Sequence, residues 1–104
     1  MNHTALFVNR QQIEASVRRA EQALAETVVR IRYEFKDDWT GDPSMFFYIV
    51  LTDETTKRPN LIERTDHIRS VLWKEVRPDE QGLNYYSSVR SLSEQNELKD
   101  PLWE

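Results

Sequence analysis

Residues 28–53 carry the pattern that most constrains the fold, because two strand-like segments flank a turn-rich loop there. Apolar and polar residues alternate in the first segment, with Val29, Ile31, Tyr33 and Phe35 on one face and Arg30, Arg32, Glu34 and Lys36 on the other. A period of two is typical of a half-buried strand. Residues 45–51 are apolar at every position, so both faces of the second segment require cover. We predict strand one at residues 28–36 and strand two at residues 45–53.

A first helix is predicted before these strands. Asn9 and Gln12 have capping-box spacing, and Val8 and Ile13 have the spacing of a hydrophobic staple. Apolar residues then recur at helical intervals until the pattern changes to a period of two near Glu26. The helix is therefore expected to begin after Asn9 and to end near Glu26.

A second helix is predicted after the polar linker at residues 54–59. Asn60 and Glu63 again have capping-box spacing, and an apolar stripe follows at helical intervals. Pro78 stops this helix, because proline lacks the backbone donor that a helix interior needs. His67 lies off the apolar stripe and is expected to be solvated.

Residues 84–92 predict a third strand, and Ser91 with Glu94 predicts the cap of a short final helix. The order α-β-β-α-β places strand three parallel to strand two through a right-handed crossover, while strands one and two form an antiparallel hairpin. We predict a single α+β domain over residues 1–104. Its architecture is a two-layer sandwich, a small mixed three-stranded sheet with both long helices on one face.

Composition narrows the classes of function. The 104 residues include no cysteine, which excludes disulfides, thiolate metal sites and a cysteine nucleophile. The first residues lack the basic region and the long apolar run of a signal peptide, and no run has the length of a membrane span, so a cytoplasmic protein is expected. A net charge of −4 argues against a general nucleic-acid binder.

The loop between strands one and two holds the one carboxylate cluster, with Asp37, Asp38 and Asp42 around Trp39. Aspartate, glycine and proline are turn formers, so the first interpretation is a tight turn whose Trp39 fills the core beneath. The alternative is a metal-dependent phosphoryl-transfer site, since such sites gather several carboxylates on Mg²⁺. The spacing does not match a calcium loop, and the sequence predicts no catalytic residue, metal ligand or cofactor.

The outer face of the sheet is the strongest candidate for a binding surface. Its predicted interface residues are Arg30, Arg32, Phe46, Tyr48, Val50, Tyr86 and Arg90. Aromatic residues beside arginines are typical of protein interfaces, and also of sheets on which single-stranded RNA stacks. A third possibility is that residues 5–8, or Leu102 and Trp103, cover this face from within the chain. The sequence leaves open which side of strand two faces outward, because both sides are apolar.

Residues 38–47 and 89–95 together resemble a set of small uncharacterised bacterial proteins encoded beside a second small protein, in a toxin–antitoxin-like arrangement. The resemblance carries no catalytic role for any residue, and it implies a protein partner. We therefore expect a non-enzymatic interaction protein, acting as a homodimer or as the partner of a second small bacterial protein. The alternatives are a nucleic-acid binder on the same face and the phosphoryl-transfer enzyme.

Overall fold

The computed structural model describes residues 9–104, which fold as an α+β structure in the predicted order. The elements are α1 at Arg10–Ala23, β1 at Val28–Asp37, β2 at Pro43–Leu51, α2 at Asp53–Thr56, α3 at Leu61–Val76, β3 at Asn84–Ser91 and α4 at Leu92–Leu98. Short 3-10 turns follow α3 at Pro78–Gln81 and α4 at Pro101–Trp103. The single-turn helix α2 occupies part of the segment that the sequence predicted as a linker, and β2 ends two residues before its predicted end.

The three strands form one mixed sheet in the order β1-β2-β3. β1 and β2 are antiparallel and β2 and β3 are parallel, which confirms the predicted topology. The β1–β2 register pairs Ile31 with Ile49, Tyr33 with Phe47 and Phe35 with Met45. Side chains of directly paired residues share a face, so this register decides which side of β2 faces the helices.

The core lies between the inner face of the sheet and the two long helices. Its buried side chains include Ile13, Val17 and Ala20 of α1, Ile68, Leu72 and Val76 of α3, and Met45, Phe47, Ile49 and Leu51 of β2. Full burial of each large aliphatic side chain contributes about 1.5–3 kcal/mol, so this layer supplies most of the driving force for folding.

A register shift between Val28 and Arg30 changes the start of β1. The strict alternation predicted that Val29 would share the inner face with Ile31. Instead Val28 is buried and Val29 is exposed. An extra residue in one strand moves the preceding side chains to the opposite face, which explains why this prediction was wrong.

The helix ends match the sequence in part. The Asn9 side chain accepts a hydrogen bond of 3.0 Å from the backbone N–H of Gln12, as predicted, whereas Val8 lies outside the described residues. α1 ends at Ala23, three residues before Glu26, and its last turn continues as a non-helical turn. No helix within residues 9–104 has the length and apolar character needed to cross a membrane.

The later caps also match in part. Asn60 occupies the N-cap position of α3, as predicted, but its Oδ1 accepts from the side chain of Arg64 and makes no capping bond to a backbone N–H. Ser91 caps α4 through the N–H of Glu94, as predicted.

The free edge of β1 is covered by a side chain of α1. Glu21 Oε2 accepts a hydrogen bond of 2.7 Å from the backbone N–H of Ile31. Arg32 Nη1 lies 3.3 Å from the same carboxylate oxygen and donates to the carbonyl of Ile31 at 3.1 Å. Unpaired edge groups invite pairing with another chain, so these side chains protect this part of the edge.

Candidate functional site

The register places all seven predicted interface residues on the outer face of the sheet, away from α1 and α3. They lie in three rows across the strands, Arg30–Val50–Arg90, Arg32–Tyr48–Ser88 and Glu34–Phe46–Tyr86. The question left open by the sequence is thereby answered, since Phe46, Tyr48 and Val50 point outward. The rows divide the face into two halves with different surroundings.

The half that contains the first row is covered by the chain itself. Residues 100–104, which we call the closing segment, lie across it and bury Trp103 to 5% exposure. The Trp103 ring lies 5.2 Å from the Tyr48 ring, and the Arg90 guanidinium lies 3.9 Å from its centre. Val50 is fully buried. Here the outer face is self-covered by Trp103, the third possibility raised from the sequence; residues 5–8 lie outside the described part of the chain.

Polar side chains anchor the closing segment. Arg30 Nε donates to the backbone carbonyl of Trp103 at 2.7 Å, and Arg30 Nη2 lies 3.4 Å from the carboxylate of Glu104. Gln95, which is fully buried, donates to that carboxylate and to the carbonyl of Asp100 at 2.9 Å. The Arg30 guanidinium is therefore engaged by its own chain.

The other half of the outer face carries one exposed ring and two half-buried rings. Trp39, Phe46 and Tyr86 form what we call the aromatic patch, in which Tyr86 lies 4.9 Å from Trp39 and 5.1 Å from Phe46 between ring centres. Lys36 Nζ lies 4.6 Å from the Phe46 ring centre, within cation–π range. Trp39 is 78% exposed, so the prediction that it fills the core was wrong. The interior of the turn holds the Asp38 carboxylate, which leaves the indole on the outer face.

Asp38 organises the turn beneath the patch. Its Oδ1 accepts from the N–H and hydroxyl of Thr40, at 2.9 and 2.5 Å, and from the N–H of Asp42 at 3.1 Å. Its Oδ2 accepts from the Tyr86 hydroxyl at 2.7 Å and from the Asn84 side chain at 3.2 Å. The Thr40 hydroxyl, followed by Tyr86 and the backbone donors, holds the pKa of Asp38 well below its usual range. The same bond to Asp38 raises the pKa of Tyr86.

Donors of the chain itself engage the Asp38 carboxylate, the central group of the phosphoryl-transfer alternative. Both oxygens of Asp38 are occupied by donors of the chain, and Asp37 and Asp42 are exposed. Asp53 lies beyond the opposite end of β2, where its carboxylate accepts from the N–H of Ser93 at 2.9 Å. Within residues 9–104 no three histidine or acidic side chains gather as metal ligands.

The middle row joins the two halves. The Tyr48 hydroxyl donates to the carboxylate of Glu34, and burial, followed by this bond, raises the pKa of Tyr48. Arg32, the charged member of this row, reaches to Glu21 at the strand edge. His67 is exposed, as expected, and His3 lies outside the described residues.

Sequence reasoning missed two groups that shape the face. Gln95 and Glu104 hold the closing segment, and Asn84 holds the turn, yet none belongs to a motif. The sequence feature closest to these residues was the Ser91–Glu94 cap. It predicted where α4 begins but not that the Gln95 side chain would be buried.

A cleft of about 370 Å³ lies between the start of α1 and the end of α3, on the other side of the molecule. Asn9, Ser16, Glu75 and Arg77 are among the residues that line it. None of the residues singled out from the sequence as a binding-surface or loop residue lines this cleft, so the outer face remains the candidate site. Comparison of the chain with protein-family models, curated proteins and solved structures finds no match.

Proposed function

We propose that this chain is a non-enzymatic protein-interaction module that binds through the aromatic patch on the open half of its outer face. The partner is a second copy of the chain or a second small protein. The proposed interface is smaller than the predicted one, because Arg30 and Arg90 are engaged by the closing segment and Val50 is fully buried. In the patch Trp39 is exposed, and Phe46 and Tyr86 are half-buried.

The observation that carries the proposal is the exposure of Trp39 on a rigid support. A tryptophan that is 78% exposed leaves a large apolar area in water, an arrangement that contributes nothing to the core. The turn beneath it is fixed by the Asp38 hydrogen bonds before any partner binds. Binding therefore costs little further loss of conformational entropy at this position. Rigid aromatic side chains on a firm base are typical of interface hot spots.

The surroundings of the patch suit a protein surface. Lys36, Asp42 and Asn84 surround the rings with charges of both signs and an amide, which matches an apolar centre with a polar rim.

Sedimentation velocity over a micromolar to submillimolar concentration series tests the homodimer form. We expect the wild-type chain to associate and Trp39→Ala to weaken association by about 30-fold, the equivalent of a 2 kcal/mol hot spot. Ile62→Ala is the matched control, because Ile62 is 77% exposed but lies on α3, away from the outer face. Equal association of all three proteins would contradict the proposal.

The second form is tested by capture of the protein encoded beside this one, with the wild-type and Trp39→Ala chains as baits. We expect the wild-type chain to retain that protein and the variant to release it. Strictly monomeric behaviour in sedimentation, together with failure of this capture, would remove both forms of the proposal.

A nucleic-acid binder is the second candidate, and stacked rings beside Lys36 favour it. Single-stranded RNA stacks on such rings, and its phosphates need nearby cations. Asp42 and Glu34 beside the patch, and the net charge of −4, oppose phosphate binding. A labelled single-stranded oligonucleotide separates the two, because RNA affinity would fall steeply as salt is added while an apolar protein contact would change little.

A further inference from the structure

The closing segment is held by side-chain anchors, not by pairing with a strand. Within the described chain, no backbone–backbone hydrogen bond joins residues 100–104 to the sheet. Its attachments include the buried Trp103 ring, the bonds from Arg30 and Gln95, and the ion pair between Arg90 and Asp100. An element attached in this way keeps every contact if an identical segment of another molecule takes its place.

The connection between α4 and the closing segment has the features of a hinge. Lys99 adopts left-handed backbone angles, φ 52° and ψ 37°, directly after the last residue of α4. That conformation is costly for a residue with a Cβ atom, and an extended backbone at this position removes the cost. Pro101 follows two residues later and limits the ways in which the chain can turn back.

Exposed leucines flank this hinge. Leu98 at the end of α4 is 57% exposed, and Leu102 in the closing segment is 48% exposed. Their apolar area faces water when the segment folds back on its own chain. If the hinge opens, the closing segment can cross to a neighbouring molecule. Leu98 and Leu102 of the two copies then lie close together where the segments cross, and their apolar area can be buried.

We propose that the closing segment is an exchangeable arm, and that the groove formed by Arg30, Tyr48, Arg90 and Gln95 binds the same segment of a second copy. The two chains then swap residues 100–104 reciprocally about a two-fold axis near Lys99. The inference goes beyond the proposed function, because exchange uses the covered half of the outer face and does not require Trp39.

Deletion of Lys99 in the full chain is the first test. The shortened connection cannot turn back onto its own groove but can still reach a neighbour, so we expect a dimer of twice the monomer mass in sedimentation velocity. Lys99→Gly is the matched control, since glycine relieves the left-handed strain and favours the closed monomer. A folded Lys99-deletion protein that remains monomeric would overturn the inference.

A peptide with the sequence of residues 98–104 provides the second test, which does not depend on the deletion. We expect the labelled peptide to bind the Trp103→Ala chain at least about tenfold more tightly than the wild-type chain, whose own segment competes at millimolar effective concentration. Glu104→Ala serves as a milder receptor in case Trp103→Ala does not fold. A folded receptor that ignores the peptide, or binds a Trp-to-Ala peptide equally, overturns the inference.

The Trp39→Ala chain separates the two proposals. Exchange predicts that Trp39→Ala combined with deletion of Lys99 still dimerises. Loss of that dimer would contradict exchange while leaving the aromatic patch as the interface.

Discussion

The hydroxyl of Tyr86 donates a hydrogen bond of 2.7 Å to the carboxylate of Asp38, and this bond joins β3 to the turn between β1 and β2. Tyr86 also lies between the rings of Trp39 and Phe46. The Tyr86 side chain therefore both holds the turn that carries Trp39 and packs against the other two rings of the aromatic patch. The position of Trp39 on the outer face follows from this polar network and not from burial of its ring.

The network makes stability depend on pH. Hydrogen bonds lower the folded-state pKa of Asp38 below the ordinary value of 3.8, so its contribution is fully present above that value and is lost as the pH falls below it. We expect the wild-type chain to lose more stability than Asp38→Asn between neutral pH and pH of about 3, measured by urea unfolding. Asp37→Asn, at an exposed neighbour, should follow the wild-type profile. Parallel profiles for wild type and Asp38→Asn would contradict this account.

Removal of the Trp103 ring should destabilise the chain although the ring lies outside the main core. Trp103→Ala deletes a buried side chain that packs against Tyr48, and we expect a loss of about 3 kcal/mol in the free energy of unfolding. Leu102→Ala at the adjacent exposed position should change stability by less than about 0.5 kcal/mol. Both variants are measured by denaturant unfolding. Similar losses of stability would show that Trp103 contributes no more than the exposed Leu102, which would contradict this account.

The edge of β1 depends on a carboxylate from α1. Glu21→Ala leaves the backbone N–H of Ile31 without its acceptor, and we expect a cost of about 1–2 kcal/mol in the free energy of unfolding. Glu21→Gln keeps an acceptor at that place and should cost less than half as much. Light scattering should also show more aggregation for Glu21→Ala, because an uncovered edge pairs with other chains. Equal stability of the two variants would exclude this role of Glu21.

The left-handed residue after α4 offers a stabilising substitution. Lys99→Gly removes the steric cost of φ 52° and should raise the free energy of unfolding by about 0.5–1 kcal/mol, in spite of the greater freedom of glycine in the unfolded chain. Gly82→Ala is the opposite test, because Gly82 has φ 74° and its substitution should destabilise the turn before β3 by about 1 kcal/mol. A destabilising Lys99→Gly would mean that the lysine side chain contributes more than its backbone costs.

The topology was predictable because it depends on local periodicity. Alternation in β1, helical spacing in α1 and α3, and the crossover rule together determine the order and direction of the strands. The same alternation assigned Arg30 and Arg32 to the outer face. The alternation gave the wrong face for Val29, because the hydrophobic pattern contains no indication of the bulge that shifts the register there.

The candidate site was less predictable because its decisive contacts are distant in sequence. β2 is apolar on both sides, so only its pairing with β1 shows that Phe46 and Tyr48 face outward. The bond from Arg30 to Trp103 spans 73 positions, and no local pattern encodes it. The turn-forming residues around Trp39 predict a tight turn with the indole in the core beneath, whereas the interior of the turn holds the Asp38 carboxylate.

The central claim is that association occurs through the aromatic patch, and the indole N–H signals of the three tryptophans test it most directly. In ¹H–¹⁵N spectra recorded at rising protein concentration, or with the captured partner, we expect the Trp39 signal to shift or broaden. The Trp73 signal should stay in place, since that ring packs between Phe47 and Tyr85 on the inner face. Association that leaves Trp39 unchanged, with shifts confined to α1 and α3, would contradict the account.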